Sequence, residues 1–148
     1  MASYIPAELR RFVAERADHL CEYCLVHEDD RGFGCHVDHI ISGKHGGLTE
    51  ETNLAYACAP CNRAKGSDIG SITEEEGPFM RLYNPRIDKW HEHFKIDGAQ
   101  ILGLTGVGRV TVKILRLNDE ERRLEREILV VQERYPSVSA QRRLKGAV

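Results

Sequence analysis

Apolar residues near the start of the chain fall at three- and four-residue spacing: Leu9, Phe12, Val13 and Leu20, with Arg16 as a polar break. That stripe predicts a core-facing helix over about Pro6 to Asp18. Pro6 suits its first turn, where a missing N–H costs nothing. Glu28 to Gly32 is a polar turn, and Phe33 to Ile41, rich in β-branched and aromatic residues, reads as a strand. Ser42 to Gly47 is a glycine-rich loop, and Thr49, Glu50 and Glu51 suggest a brief helical turn. Asn53 to Ala57 is a short apolar strand, followed by a helix from Pro60 to about Lys65 that Gly66 stops. After a soft linker, Gly66 to Gly77, comes a second region. It holds a strand at Ile101 to Leu104 and a helix at Gly106 to Arg116 that buries Val107, Val110 and Ile114, with Leu117 beyond it. A further helix, Glu120 to Arg134, has Leu124, Ile128, Val131 and Tyr135 as its apolar stripe. Pro136 ends it, and Ser137 to Val148 reads as a loose basic tail. The fold class is α+β.

Composition narrows the possibilities. Of 148 residues, 41% are hydrophobic and 30% charged, which excludes a disordered or collagen-like chain. The longest aliphatic run is Ile128 to Val131, far short of the roughly 20 residues needed to span a bilayer. MASYIPAELRR has no apolar signal segment, so the expected compartment is the cytoplasm.

Four of the five cysteines form two Cys-x-x-Cys pairs, Cys21/Cys24 and Cys58/Cys61. Without a secretion signal such pairs read as a metal site, because each tight turn supplies two thiolates to a tetrahedral Zn²⁺. A redox dithiol and unrelated buried thiols are the alternatives. Cys35 is left over and receives no role.

Between the pairs lies His36-Val37-Asp38-His39-Ile40; Asn53 follows, and Asn62 comes directly after Cys61. Phosphodiester hydrolysis needs a water nucleophile, a base and a cation at the developing charge. Asp38 offers an anionic oxygen and Asn62 a neutral one, a sparse set suited to Mg²⁺ or Mn²⁺. His39 can be the base, since its reference pKa of about 6.5 lies near neutrality. Arg63, Lys65 and Lys44 are candidates for phosphate contact. His36, two residues before Asp38 and so on the same strand face, could be a further metal ligand, a donor to one, or a partly buried residue. Asp38 and His39 point to opposite faces of an ideal strand, so both serve one site only where the strand ends or bulges. His45 reads as exposed, Trp90, His91, His93 and Phe94 as packing, and Gly103 to Gly108 as strand-to-helix punctuation.

The stretch CEYC … HVDHI … GKHGG … NLAYACAPCNRAKG, across about Arg16 to Ser67, resembles the HNH endonucleases, small stand-alone bacterial type. The family's three name positions fall on His39, Asn53 and Asn62. The resemblance implies a ββα-metal core, DNA as substrate, products with a 3′-hydroxyl and a 5′-phosphate, and Asn53 fixing the loop or orienting His39. Residues 1–76 are then a zinc-stapled nuclease core, and residues 77–148 a helical extension packed on it. The alternative is a non-catalytic zinc module that binds nucleic acid or protein. The two parts carry formal charges of −7 and +5. The second is therefore expected to attract DNA through Arg122, Arg126, Arg142, Arg143 and Lys145, against a plain solvated helix face and a floppy tail.

Overall fold

A computed structural model describes residues 4–146. The chain folds as a mixture of helices and three small antiparallel sheets, an α+β arrangement. Helix α1 spans Ala7–Arg16, with Pro6 just before its first turn. Val13 and Ala17 are fully buried and pack with Ile5 against Leu54 and Tyr56 of the first sheet. Phe12, expected in that stripe, lies half in solvent with the Arg16 guanidinium over its ring, 5.1 Å from the centroid.

Strand β1, Cys35–His39, pairs antiparallel with β2, Leu54–Cys58, so that Asp38 faces Ala55 and His39 faces Leu54. Side chains alternate across this pair. Leu54 and Tyr56 turn to α1, while Ala55 and Ala57 join the main core. Helix α2, Ala59–Lys65, follows β2 directly and stops at Gly66, whose φ is +52°. The result is a ββα unit.

Residues 67–146 hold more strand than the single segment the sequence suggests. β3 (Gly70–Ser71) lies inside the expected linker and pairs with β4 (Met80–Arg81). A short helix α3 (Trp90–His93) leads into the hairpin β5 (Phe94–Asp97) and β6 (Gln100–Gly103). Helix α4 (Gly106–Ile114) is capped by Thr105, whose hydroxyl accepts from Gly108 N–H at 3.0 Å. Helices α5 (Glu120–Val131) and α6 (Val138–Leu144) complete the chain. One core cluster joins Leu20, Tyr23, Leu25 and Ala57 to Trp90, Phe94, Ile101, Val110, Leu117, Tyr135 and Ala140, crossing the expected boundary at residue 76.

Two expectations are corrected here. Ser137 to Gly146 is not a loose tail. Ser137 caps α6 by accepting from Ala140 N–H, Ala140 is fully buried, and Arg143 pairs with Asp18 at 2.8 Å. Residues 147–148, and 1–3 at the other end, lie outside the described residues. Helix α5 turns three of its four stripe residues outward, and only Tyr135, beyond its last turn, is buried as expected. Leu124, Ile128 and Val131 are 48%, 58% and 83% exposed, whereas Arg122 and Arg126 are 7% and 0% exposed. Arg126 is held by the carbonyls of Ala99 and Leu117, both at 2.7 Å, and by Asn118 Oδ1 at 3.2 Å. A buried guanidinium takes the inner face only where oxygens accept its N–H groups; here they accept from Nε and Nη2, while Nη1 has no partner among the described residues.

Helix α4 lies close against the end of α3 at Gly108, where an added Cβ would lie 2.1 Å from His93 O. Ala is the better helix former by about 1 kcal/mol, so propensity alone favours Gly108→Ala. The clash reverses the sign: we expect a net loss of about 1–3 kcal/mol. It is read as a lower urea midpoint at unchanged slope.

Candidate metal centre and active site

The two cysteine turns converge. Cys21, Cys24, Cys58 and Cys61 are fully buried, and their sulfurs all lie within 4.8 Å of one another. A tetrahedron with Zn–S bonds of about 2.3 Å has edges of about 3.8 Å; Cys24 Sγ and Cys58 Sγ are 3.7 Å apart. The donor set and its spacing fit Zn²⁺. The first turn is tied by Cys21 N–H to Val26 O and Leu25 N–H to Cys21 O, both 2.9 Å, and Cys24 N–H points at Cys21 Sγ at 3.5 Å. Two aromatic residues from the second half hold its carbonyls: Trp90 Nε1–H donates to Tyr23 O at 2.9 Å and the Tyr135 hydroxyl to Cys24 O at 2.8 Å. Burial pushes the Cys21 and Cys61 thiols up. Hydrogen bonds from Cys21, Cys58 and Cys61, with the charge of Arg31 nearby, hold Cys24 well below the usual thiol value.

Two guanidiniums reach these sulfurs. Arg122 Nη2–H donates to Cys61 Sγ at 2.8 Å and Cys58 Sγ at 3.9 Å, and Arg31 Nη2–H to Cys24 Sγ at 3.7 Å. Nothing in the order of residues along the chain signals these contacts. Arg122 was expected at DNA; it is turned inward instead, as is Arg126. The same correction holds for Arg143, which is committed to Asp18, while Arg142 and Lys145 are exposed.

The second cluster lies at the end of β1. Asp38 and His39 are the last two residues of that strand, paired with Ala55 and Leu54, which turn to opposite faces, so the two side chains leave the strand on different sides. Lys65 Nζ sits 3.0 Å from Asp38 Oδ2 and donates to His39 O at 3.0 Å. Lys65 is 2% exposed and cannot reach solvent phosphate, a second correction: the lysine has been drawn into the pair with a carboxylate that is itself 12% exposed. Burial pushes the Asp38 carboxyl up, and Lys65 opposes that shift. His39 Nε2 is 2.8 Å from Thr49 Oγ1, a partner not singled out in the sequence. Asn62 lies on α2 one turn before Lys65 and is half-buried. Arg63 and Lys44 are exposed, and so is His36.

Asn53 fixes the glycine-rich loop. Its amide accepts from Ile41 N–H at 2.9 Å and donates to Ile41 O at 2.9 Å and Leu48 O at 2.8 Å. It forms no hydrogen bond to His39. Gly47 packs into the same staple, where an added Cβ would stand 1.7 Å from Ile41 O and 2.8 Å from Asn53 Nδ2. His45 ties the loop to α2's exit through Ser67 O at 3.0 Å.

Residues 21–68 match the family model described as HNH endonuclease. The matched segment begins at the first cysteine ligand and ends just past α2, so it contains both clusters. The matched segment is similar to HNH endonucleases over about a third of the chain, and the four cysteines within it could hold a metal ion. No curated protein and no solved structure matches the chain. Among the described residues no helix is long and apolar enough to cross a membrane.

Cys58→Ser should lower zinc content below one per chain and unfold much of the protein, since structural zinc contributes on the order of 10 kcal/mol to small domains. Elemental analysis with far-UV circular dichroism checks it. A folded, zinc-free wild-type protein would refute the zinc assignment.

Proposed function

We propose that the protein is a divalent-metal-dependent endonuclease that hydrolyses DNA phosphodiester bonds, leaving a 3′-hydroxyl and a 5′-phosphate. The observation that supports it is the pair Asp38–His39 at the end of β1, beside the helix that bears Asn62, all within the segment matching the nuclease family. Asp38 and Asn62 would hold Mg²⁺ or Mn²⁺, which when bound neutralises charge developing on the phosphate and leaving oxygen. His39 takes the proton of the attacking water. Its Nε2 is engaged by Thr49 Oγ1, so Nδ1 is the nitrogen left to receive that proton, and Nε2–H donating to Thr49 would select the required tautomer. Asn53 keeps the loop that carries Thr49 closed on β1. His36 is exposed on the strand, in a place where it could assist a ligand, and Arg63 and Lys44 supply cationic contacts to flanking phosphates. The protein would act in the cytoplasm, with residues 1–76 carrying the chemistry and 77–148 supporting them.

The rival reading, a non-catalytic zinc module, is favoured by one observation: Lys65 Nζ already stands 3.0 Å from Asp38 Oδ2 as a counter-charge. Incubation with supercoiled plasmid, in Mg²⁺ or Mn²⁺ against a chelator too weak to strip the cysteine site, separates the two. The nuclease reading requires metal-dependent nicking or cleavage. His39→Ala should then cut turnover by about 10²–10⁴-fold while DNA binding stays near wild type. Asp38→Ala should lose activity and the response to added metal together, and Asn62→Ala should do so more mildly. No cleavage of any DNA form by zinc-loaded protein leaves the binding-module reading.

A further inference from the structure

A divalent metal held by four cysteine thiolates is a formal dianion, and burying it is costly unless opposite charge is buried with it. Two guanidiniums meet that requirement. The Arg31 side chain is only 6% exposed and Arg122 as a residue 7%, and both donate to the sulfurs, Arg122 at 2.8 Å and Arg31 at 3.7 Å. Their two charges equal that of the loaded site and are opposite in sign. They come from different parts of the chain. Arg31 precedes β1, Arg122 lies on α5, and Arg31 also pairs with Glu125 of α5. The fork of Arg122 is aimed by its other terminal nitrogen, which donates to Leu115 O at 2.6 Å. Within α5 the apolar contribution to its seat is small, since Leu124, Ile128 and Val131 face solvent and Leu129 is partly buried against the core.

We propose that Arg31 and Arg122 are outer ligands of a divalent metal–tetrathiolate, and that they couple occupancy of the cysteine site to the seating of α5 on the first half of the chain. The inference rests on the reading of the four cysteines as a zinc site. In the loaded state each guanidinium N–H makes a charge-assisted bond to a sulfur that the metal keeps anionic. Four uncompensated thiolates at this spacing repel one another, so the compact dianion that the arginines face persists only with the metal in place. Linkage is reciprocal: the metal seats α5, and α5 tightens the metal. This gives the outward turn of the α5 stripe a cause. Arginines take the inner face because the charge they answer is there.

The full-length protein tests this in three ways. In competition with a chromophoric chelator, Arg122→Gln should bind zinc about 10–100-fold more weakly, the usual worth of an outer-shell partner, and Arg122→Lys should recover part of the loss. In the wild type, hydrogen exchange over residues 120–131 should speed up on zinc removal. Should Arg122→Gln fail to fold, iron-loaded Arg31→Gln gives the same information. Iron in four thiolates is −2 when reduced and −1 when oxidised, so loss of one guanidinium should shift the reduction potential negative, which a packing role alone would not do. Wild-type zinc affinity in Arg122→Gln, unchanged exchange over 120–131 without zinc, or an unmoved potential would each overturn the proposal while leaving the zinc site intact. Wild-type protein that binds no zinc would overturn the site itself, and the proposal with it.

Discussion

Four sulfurs within 4.8 Å of one another, all out of contact with water, are the constraint on which the rest of the molecule depends. Neighbouring thiolates cannot share such a volume without a cation among them. The two cysteine turns bracket β1, the glycine-rich loop and β2, so closing the cluster fixes where that hairpin begins and ends, and α2 starts from the second turn. The position of Asp38, His39 and Asn62 relative to one another is therefore set by a site about which they say nothing chemically. The second half of the chain completes it, through Trp90 and Tyr135 on the carbonyls of the first turn.

The uneven charge along the chain is met in part by ion pairs between its halves. Arg86 pairs with Glu22, Arg134 with Asp30, Arg143 with Asp18 and Arg31 with Glu125, each joining one half to the other. Asp30 and Glu22 have side chains only 7% and 5% exposed, so at these two pairs the charges are partly desolvated and geometry matters more than at an open surface. A +5 segment beside a −7 segment reads, from composition, as a polyanion-binding surface. In space three of its arginines, Arg86, Arg134 and Arg143, meet carboxylates of the other half, while Lys89, Lys95, Arg109, Arg142 and Lys145 stay exposed.

This marks the division between what was and was not legible. The cysteine pairs, the strands around Asp38 and Leu54, and the helix from Ala59 to Lys65 are short-range patterns whose meaning is local, and they lie within a residue or two of where spacing put them. Pairing His39 with Thr49, or Arg122 with Cys61, depends on contacts across 10 and 61 positions, and no periodicity encodes those. Helix α5 is the sharpest case. Two stripes at helical spacing coexist in it, Leu124–Ile128–Val131 and Arg122–Arg126, and hydropathy selects the first. The structure selects the second because acceptors for its charges lie beneath it.

Lys65 shows the same logic at the candidate active site. A lysine one turn beyond Asn62 on a surface helix reads as a phosphate contact, because lysines are rarely buried unless paired. Here the pair exists: burial raises the cost of the Asp38 carboxylate, and the ammonium 3.0 Å away lowers it again. The lysine also donates to His39 O, so a single cation touches both members of the Asp-His pair. On the proposed reading a divalent metal would share Asp38 with this ammonium rather than find the carboxylate free. Two cations on one carboxylate repel, which weakens metal binding in the absence of phosphate. A substrate phosphate would supply the missing negative charge and tighten it. The cation and the DNA would then bind cooperatively, with Lys65 setting how strongly each depends on the other.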